Sequence, residues 1–185
     1  MNLLKKVWYD KNLIKVLKEG GVVVMPTDTI YGIVGKALSQ PTVERIYDIK
    51  KRAPEKPCII LISDWAEVEK FGVDISKIKI PEYNEPTSFV LDCLNPEFEY
   101  LHRGTHTLAF RKPNILELQN LLKETGPLIA PSTNPEGLPP AQNISEAQNY
   151  FGNSVDLYID GREISGKASK IIKLNNNGTV TVLRP

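Results

Sequence analysis

The chain has 185 residues, 41% apolar and 24% charged, the balance of an ordinary folded protein and not of a disordered one; the length predicts a single domain over residues 1–185 with a sizeable core. A net charge of about +1 argues neither for nor against nucleic acid by bulk electrostatics, so any anion site must be local. No run approaches about 18 apolar residues, and charges interrupt the start MNLLKKVWYD at once, so neither a membrane span nor a signal peptide is read and a cytoplasmic location is expected.

Asp10 can cap a first helix whose Leu13, Ile14 and Leu17 share a face, and Gly20 with Gly21 stops it. Residues 22–25 are continuously apolar, the pattern of a strand covered on both faces. The loop that follows, PTDTIYG, crowds hydroxyls and an acid before two glycines; it is either an ordinary loop or the lip of a pocket. SQPTVERIYDIKKR reads as a second helix, with Pro41 near its first turn and Val43, Ile46, Tyr47 and Lys50 on or near one face. Residues 58–62 form another apolar run, and Ser63 is expected to cap a helix that reaches Phe71 and ends at Gly72. Residues 72–86, punctuated by Pro and Asp, receive no assignment.

Residues 89–91 and 107–110 are strand candidates, 114–124 a Leu-rich helix, 128–130 a buried strand and SEAQNYF a short helix. Residues 170–174 and 179–183, joined by NNNG, read as a closing hairpin. Strands alternate with helices at first and pair locally at the end, which predicts an α/β fold with a twisted mixed sheet and flanking helices. Cys58 and Cys93 lie in apolar stretches without a CxxC pair and read as small core residues in a reducing compartment.

Several chemistries lack their motif. GIVGK misses the P-loop, because Ile30 stands where its first glycine belongs and Ala37 where Ser or Thr must follow the lysine; GxGxxG does not occur either. His102 and His106 are four apart with Gly104 between them and no third ligand type nearby, so no protein-held metal is expected. KKRAPEK, residues 50–56, carries four cations and one acid between a helix end and a buried strand. Alone it reads as a solvated basic turn, since cations suit a helix C-terminus. Arg111 and Arg184, however, also fall at strand ends, where an α/β sheet gathers ligand-binding groups. APSTNPEG, residues 130–137, follows a buried strand as PTDTIYG does. Its Ser132, Thr133 and Asn134 either bond their own backbone or face a ligand. Two such loops and three basic positions suit a pocket for a zwitterionic or phosphorylated small molecule.

In this order and at these spacings, PTDTIYG, KKRAPEKP, PTSFVL, LAFRKP, GPLIAPSTN and LRP resemble the YrdC/TsaC-type threonylcarbamoyl-AMP synthases in their short form. The resemblance spans residues 10–185 and implies a YrdC-like fold with a concave basic groove. It also implies synthesis of threonylcarbamoyl-adenylate from L-threonine, bicarbonate or CO₂, and ATP with Mg²⁺, releasing pyrophosphate. The product would feed threonylcarbamoylation of adenosine 37 in tRNA by a downstream transferase machinery, with tRNA or double-stranded RNA as a further contact and no membrane. The resemblance assigns Lys50 and Arg52 the catalytic neutralisation of phosphate charge, and Thr27, Thr29, Tyr31 and Arg111 the threonine side. Lys50, Arg52, Lys56, Thr107, Ser132, Asn134, Ser169 and Arg184 fall to the nucleotide.

The chain departs from that pattern in places. Lys170 and Lys173 replace a threonine and an acid after Ser169, EYNEPTSF lacks the usual Trp and Gly, Pro135, Glu136 and Gly137 replace Ser-Gly, and Leu61 stands where a long form has histidine. A different outcome is a catalytically inactive relative that binds RNA or a nucleotide in the groove. A lesser one is a carbamoyl-transfer accessory of the kind fused to hydrogenase-maturation modules.

Overall fold

The Asp10 carboxylate accepts the Leu13 N–H at 2.9 Å and opens helix α1, Lys11–Lys18. Gly20, at φ +85°, turns the chain out of it. The structure is a computed structural model that describes residues 6–76, 78–175 and 179–185.

Strand β1, Val23–Pro26, is buried throughout, as its apolar run predicts. The chain then does something that the sequence reading did not foresee. After a four-residue turn it returns as β2, Tyr31–Lys36, antiparallel to β1 with Pro26 opposite Tyr31. Gly32 and Gly35 disguise this strand as loop, yet Gly35 is there for packing. A Cβ on it would lie 2.5 Å from Thr42 Cγ2 and 3.1 Å from Ile46 Cδ1, in the helix that crosses it.

That helix is α2, Gln40–Lys50. Strand β3, Ile59–Leu61, follows, then a 3₁₀ helix, Trp65–Phe71. Its cap is Asp64, which accepts the Ala66 N–H, and not Ser63 as expected; Ser63 instead donates its N–H and hydroxyl to Glu67. Gly72 ends it in the left-handed region. Strand β4, Thr87–Asp92, the short α3, Glu99–His102, and β5, Thr107–Arg111, come next. Then follow α4, Leu116–Thr125, β6, Leu128–Ile129, α5, Ile144–Phe151, and β7, Leu157–Tyr158. Strands β8, Lys170–Leu174, and β9, Val180–Arg184, close the chain as an antiparallel pair; most of the expected NNNG turn lies outside the described residues.

Among the described residues the strands form one mixed, twisted sheet in the order β7-β1-β2-β6-β3-β5-β4-β8-β9. One face is covered by α2, α3, α5 and the 3₁₀ helix, over Val24, Ile33, Ile60, Phe89, Phe110 and Ile172. On the opposite face α1 and α4 cover Val23, Met25, Val34, Leu61 and Leu128. They cover only half of it. Leu61 is registered opposite Arg111, Ser88 shares that face by its pairing alternation, and Ser88 is opposite Ile171. Over β5, β4 and β8 the face is therefore uncovered by helices, and its residues Val90, Asp92, Thr107, Ala109, Ile171 and Lys173 are each half-buried. No helix among the described residues is long and apolar enough to cross a membrane.

Candidate active site

Where the helices stop, a cavity of about 280 Å³ opens on this face. The β1–β2 turn, the end of β5, the loop after β6 and the last strand all reach it. Eight of the residues singled out from sequence line it: Thr27, Thr29, Tyr31, Arg52, Arg111, Ser132, Ser169 and Arg184. A larger cavity of about 690 Å³, bounded by Trp65, Tyr83, Phe89 and Lys112 among others, collects none of them. Convergent charge rather than size marks the smaller one as the site.

Arg111 is its centre. The residue is 3% exposed, and its Nε and Nη2 both donate to Asp28 Oδ1, at 3.2 and 2.9 Å. Longer contacts reach Thr29 Oγ1 at 3.4 Å, Ser169 Oγ at 3.3 Å and Ser88 Oγ at 3.5 Å. Asp28 was not foreseen, and neither was Ser88, whose hydroxyl shares a hydrogen bond with that of Ser169 at 2.8 Å. Asp28 lines the larger cavity and Arg111 the smaller, so this ion pair stands between the two.

The threonines of the turn are held locally. Thr27 Oγ1 donates to Ile30 O at 2.7 Å and sits 3.1 Å from Thr29 Oγ1, which fixes a compact hydroxyl-rich turn. The Tyr31 hydroxyl does not enter the cavity's chemistry. It donates to Arg162 O and accepts the Gly161 N–H, tethering the segment that leads to Ser169. That segment presses on the turn at Gly166, where a Cβ would meet Thr29 O at 2.0 Å. Gly166→Ala is therefore expected to push the segment off Thr29 and to lower turnover by at least about tenfold, as misplacement of a positioning group does, with little loss of stability. Steady-state kinetics beside a urea melt check it.

Arg184 ends β9 and donates through Nε and Nη2 to Ser169 O, at 2.9 and 2.6 Å. Burial, and after it the Arg111 charge, lower its pKa. Lys170 and Lys173, the replacements near Ser169, each face an acid of the β4 region: Glu85 at 3.3 Å and Asp92 at 3.5 Å. Glu85 belongs to the equally divergent EYNEPTSF stretch, so two departures answer each other. Leu61 is fully buried under α4.

The basic turn divides its work. Arg52 donates Nε to Lys56 O and Nη2 to Pro57 O, which holds the guanidinium at the cavity wall. Lys50 is 1% exposed, and its ammonium donates to the backbone oxygens of Ser132 and Asn134. It joins the basic turn to the loop after β6 and does not line the cavity. Asn134 does not line it either; its amide bonds Pro135 O and Leu138 O, and its Oδ1 accepts from Ser132, so Asn134 bonds its own loop while Ser132 lines the cavity. Lys56 pairs with Glu136 outside the cavity. Thr107 lies four residues before Arg111, on the same uncovered face but roughly 13 Å along the strand, bonded to Thr105.

Burial, and after it the Arg52 charge, lower the Lys50 pKa from its ordinary 10.5 to about 8. Between those values the unfolded chain holds the proton and the folded protein releases it, so this group makes stability rise with pH above about 8. Buried Cys58 and Cys93, with raised pKa values, act in the opposite sense. The expected result is a stability difference between wild type and Lys50→Met that grows in favour of wild type by on the order of 1–2 kcal/mol from pH 7.5 to 9.5, read from urea melts of both. A flat difference refutes it.

A family model for Sua5, YciO and YrdC proteins, described as telomere recombination, matches residues 15–185. A Coxiella burnetii protein named threonylcarbamoyl-AMP synthase is 28% identical over 154 residues, covering 80% of this chain and 82% of its own length. One of that name from Pyrococcus abyssi is 30% identical over 184 residues, covering 91% of this chain and 51% of its own. The crystal structure of P. abyssi Sua5 complexed with L-threonine matches with a TM-score of 0.81 at 26% identity, over 98% of this chain and 54% of that one. The chain thus spans about half the length of the Pyrococcus protein. E. coli YciO, at 24% identity and a TM-score of 0.74, shares the fold.

Proposed function

The chain belongs to the Sua5/YciO/YrdC family, and from that premise we propose that it is a threonylcarbamoyl-AMP synthase, joining L-threonine, CO₂ or bicarbonate and ATP with release of pyrophosphate. One observation carries the reading: the hydroxyls of Thr27 and Thr29 with Arg111, and the Arg52, Ser132 and Arg184 group, line one cavity. Relatives named threonylcarbamoyl-AMP synthase and a threonine-bound Sua5 supply the chemistry that such a pair of subsites fits.

Threonine's carboxylate is taken by Arg111, beside Thr29 and Ser169, as a charge-assisted pair. The amine combines with CO₂ and loses a proton, giving a carbamate. A carbamate oxygen attacks the α-phosphorus of ATP, and the bond to the β-phosphate oxygen breaks, so pyrophosphate leaves. No protein nucleophile is needed. Catalysis is positioning together with neutralisation of phosphate charge by Arg52, Arg184 and, through the loop it holds, Lys50. Mg²⁺, carried on the ATP phosphates, would add to the charge neutralisation that Arg52 and Arg184 supply. A volume of about 280 Å³ is small for a whole nucleotide. The base and ribose extend over the uncovered face, along β5 towards Thr107.

The product, an activated carbamate, passes to a tRNA threonylcarbamoyl transferase in the same cytoplasmic compartment. The test is pyrophosphate release from ATP, Mg²⁺ and bicarbonate with and without L-threonine. Threonine-dependent release is expected. ATP binding without release would assign the chain to the nucleotide-binding, non-catalytic reading instead.

A further inference from the structure

Two donors of the basic turn converge on one carboxylate. The Ala53 N–H donates to Glu136 Oε2 and the Lys56 ammonium to Glu136 Oε1. Arg52 adds its charge close by. The Glu136 carboxyl is held below the usual carboxylate range, first by the Lys56 hydrogen bond and then by the Ala53 N–H. The Glu136 N–H donates in turn to Lys50 O at 2.9 Å, which seats the residue over the turn. A backbone N–H, an ammonium and a neighbouring guanidinium around two oxygens are the donors that bind phosphate.

We propose that Glu136 is an internal stand-in for a nucleotide phosphate: its carboxylate holds the anion site of residues 52–56 until a polyphosphate displaces it. The inference rests on the reading of the chain as an ATP-using synthase for its physiological ligand. The pair is open to solvent, with side-chain exposures of 55% for Lys56 and 28% for Glu136. It can therefore part without disturbing the core, and an exposed pair of this kind is weak enough to be displaced. A triphosphate carries more charge than one carboxylate and wins the exchange. When pyrophosphate forms, the carboxylate competes for the same donors and speeds its departure. Glu136 thus sets nucleotide affinity and limits product inhibition.

The rival account is that Glu136 merely staples two loops. Glu136→Gln separates the two, because the amide keeps an oxygen for the Ala53 N–H and loses only the charge. Tripolyphosphate, and separately ATP with Mg²⁺, are titrated calorimetrically into wild type, Glu136→Gln and Glu136→Asp. Pyrophosphate inhibition is measured beside them. Binding about fivefold tighter in Glu136→Gln, a smaller gain in Glu136→Asp, whose shorter arm cannot reach both donors, and stronger pyrophosphate inhibition are expected. Unchanged or weaker binding in both variants overturns the proposal in favour of the staple. If wild type shows no threonine-dependent turnover but tripolyphosphate still binds tighter to Glu136→Gln, the synthase reading fails and the anion site stands. If wild type turns over and neither variant binds tighter, the anion-site proposal fails alone.

Discussion

Arg111→Met is expected to lower stability by about 3–5 kcal/mol and to abolish threonine-dependent pyrophosphate release. The stability loss comes from what remains. The Asp28 and Arg111 side chains are each 4% exposed, and without the guanidinium the Asp28 carboxylate is an uncompensated charge with little access to solvent. Adding Asp28→Asn removes that charge. The double variant is expected to regain most of the lost stability, because a buried pair is worth little more than well-packed neutral groups of the same size. It is not expected to regain activity, because nothing is left to hold a substrate carboxylate. Urea melts and the pyrophosphate assay read the two effects separately. If the double variant stays as unstable as Arg111→Met, the ion-pair account of the site's centre is wrong; if it regains turnover, Arg111 does not hold threonine.

Arg52→Ala is expected to reduce threonine-dependent release by about 10²–10³-fold, the usual loss when one preorganised charge is withdrawn from a developing anion. The residue also clamps its own turn through Lys56 O and Pro57 O, so alanine alone confounds charge with geometry. Arg52→Lys resolves this. It keeps a cation and loses the planar fork that reaches two carbonyls at once. Activity recovered largely by lysine makes charge the dominant contribution; lysine as poor as alanine makes the clamp dominant. Activity near wild type in Arg52→Ala would remove the basic turn from the reaction.

The contrast between β1 and β2 explains how much of the fold could be read in the sequence. β1 is an unbroken apolar run and declares itself. β2 is equally buried but carries Gly32, packed tightly against Thr27, and Gly35, where α2 comes too close for a side chain, so a strand wore the composition of a loop. β6 showed itself as a short apolar run, but β7, of two residues, is too short to show a period at all. The 3₁₀ helix was legible in extent but not in its cap, since Ser63 and Asp64 are both good cap residues and only the geometry chooses.

The site follows the same logic. Groups delivered by motif, such as Thr29, Arg52, Arg111 and Ser132, were legible, and the fold brings them to one cavity. What escaped were their partners. Asp28 meets Arg111 across 83 positions and Glu136 meets Lys56 across 80. A charge pair at such separation leaves no local pattern. Gly166 escaped for a related reason, since its role is to lack a side chain where Thr29 O passes.

Two parallel pairings, β1 with β7 and β4 with β8, have a kinetic meaning. Val23 meets Leu157 and Thr87 meets Lys170, so the chain must close loops of more than eighty residues before either pairing yields any contact. Ser169 and Arg184 reach the cavity only after the second closure. Folding should therefore be slow for a chain of this size, and the cavity should be among the last parts assembled and the first to open. Ligands that bridge Thr29 and Arg184 would then act as a latch on the final strands, most visible as slowed proteolysis near the C-terminus.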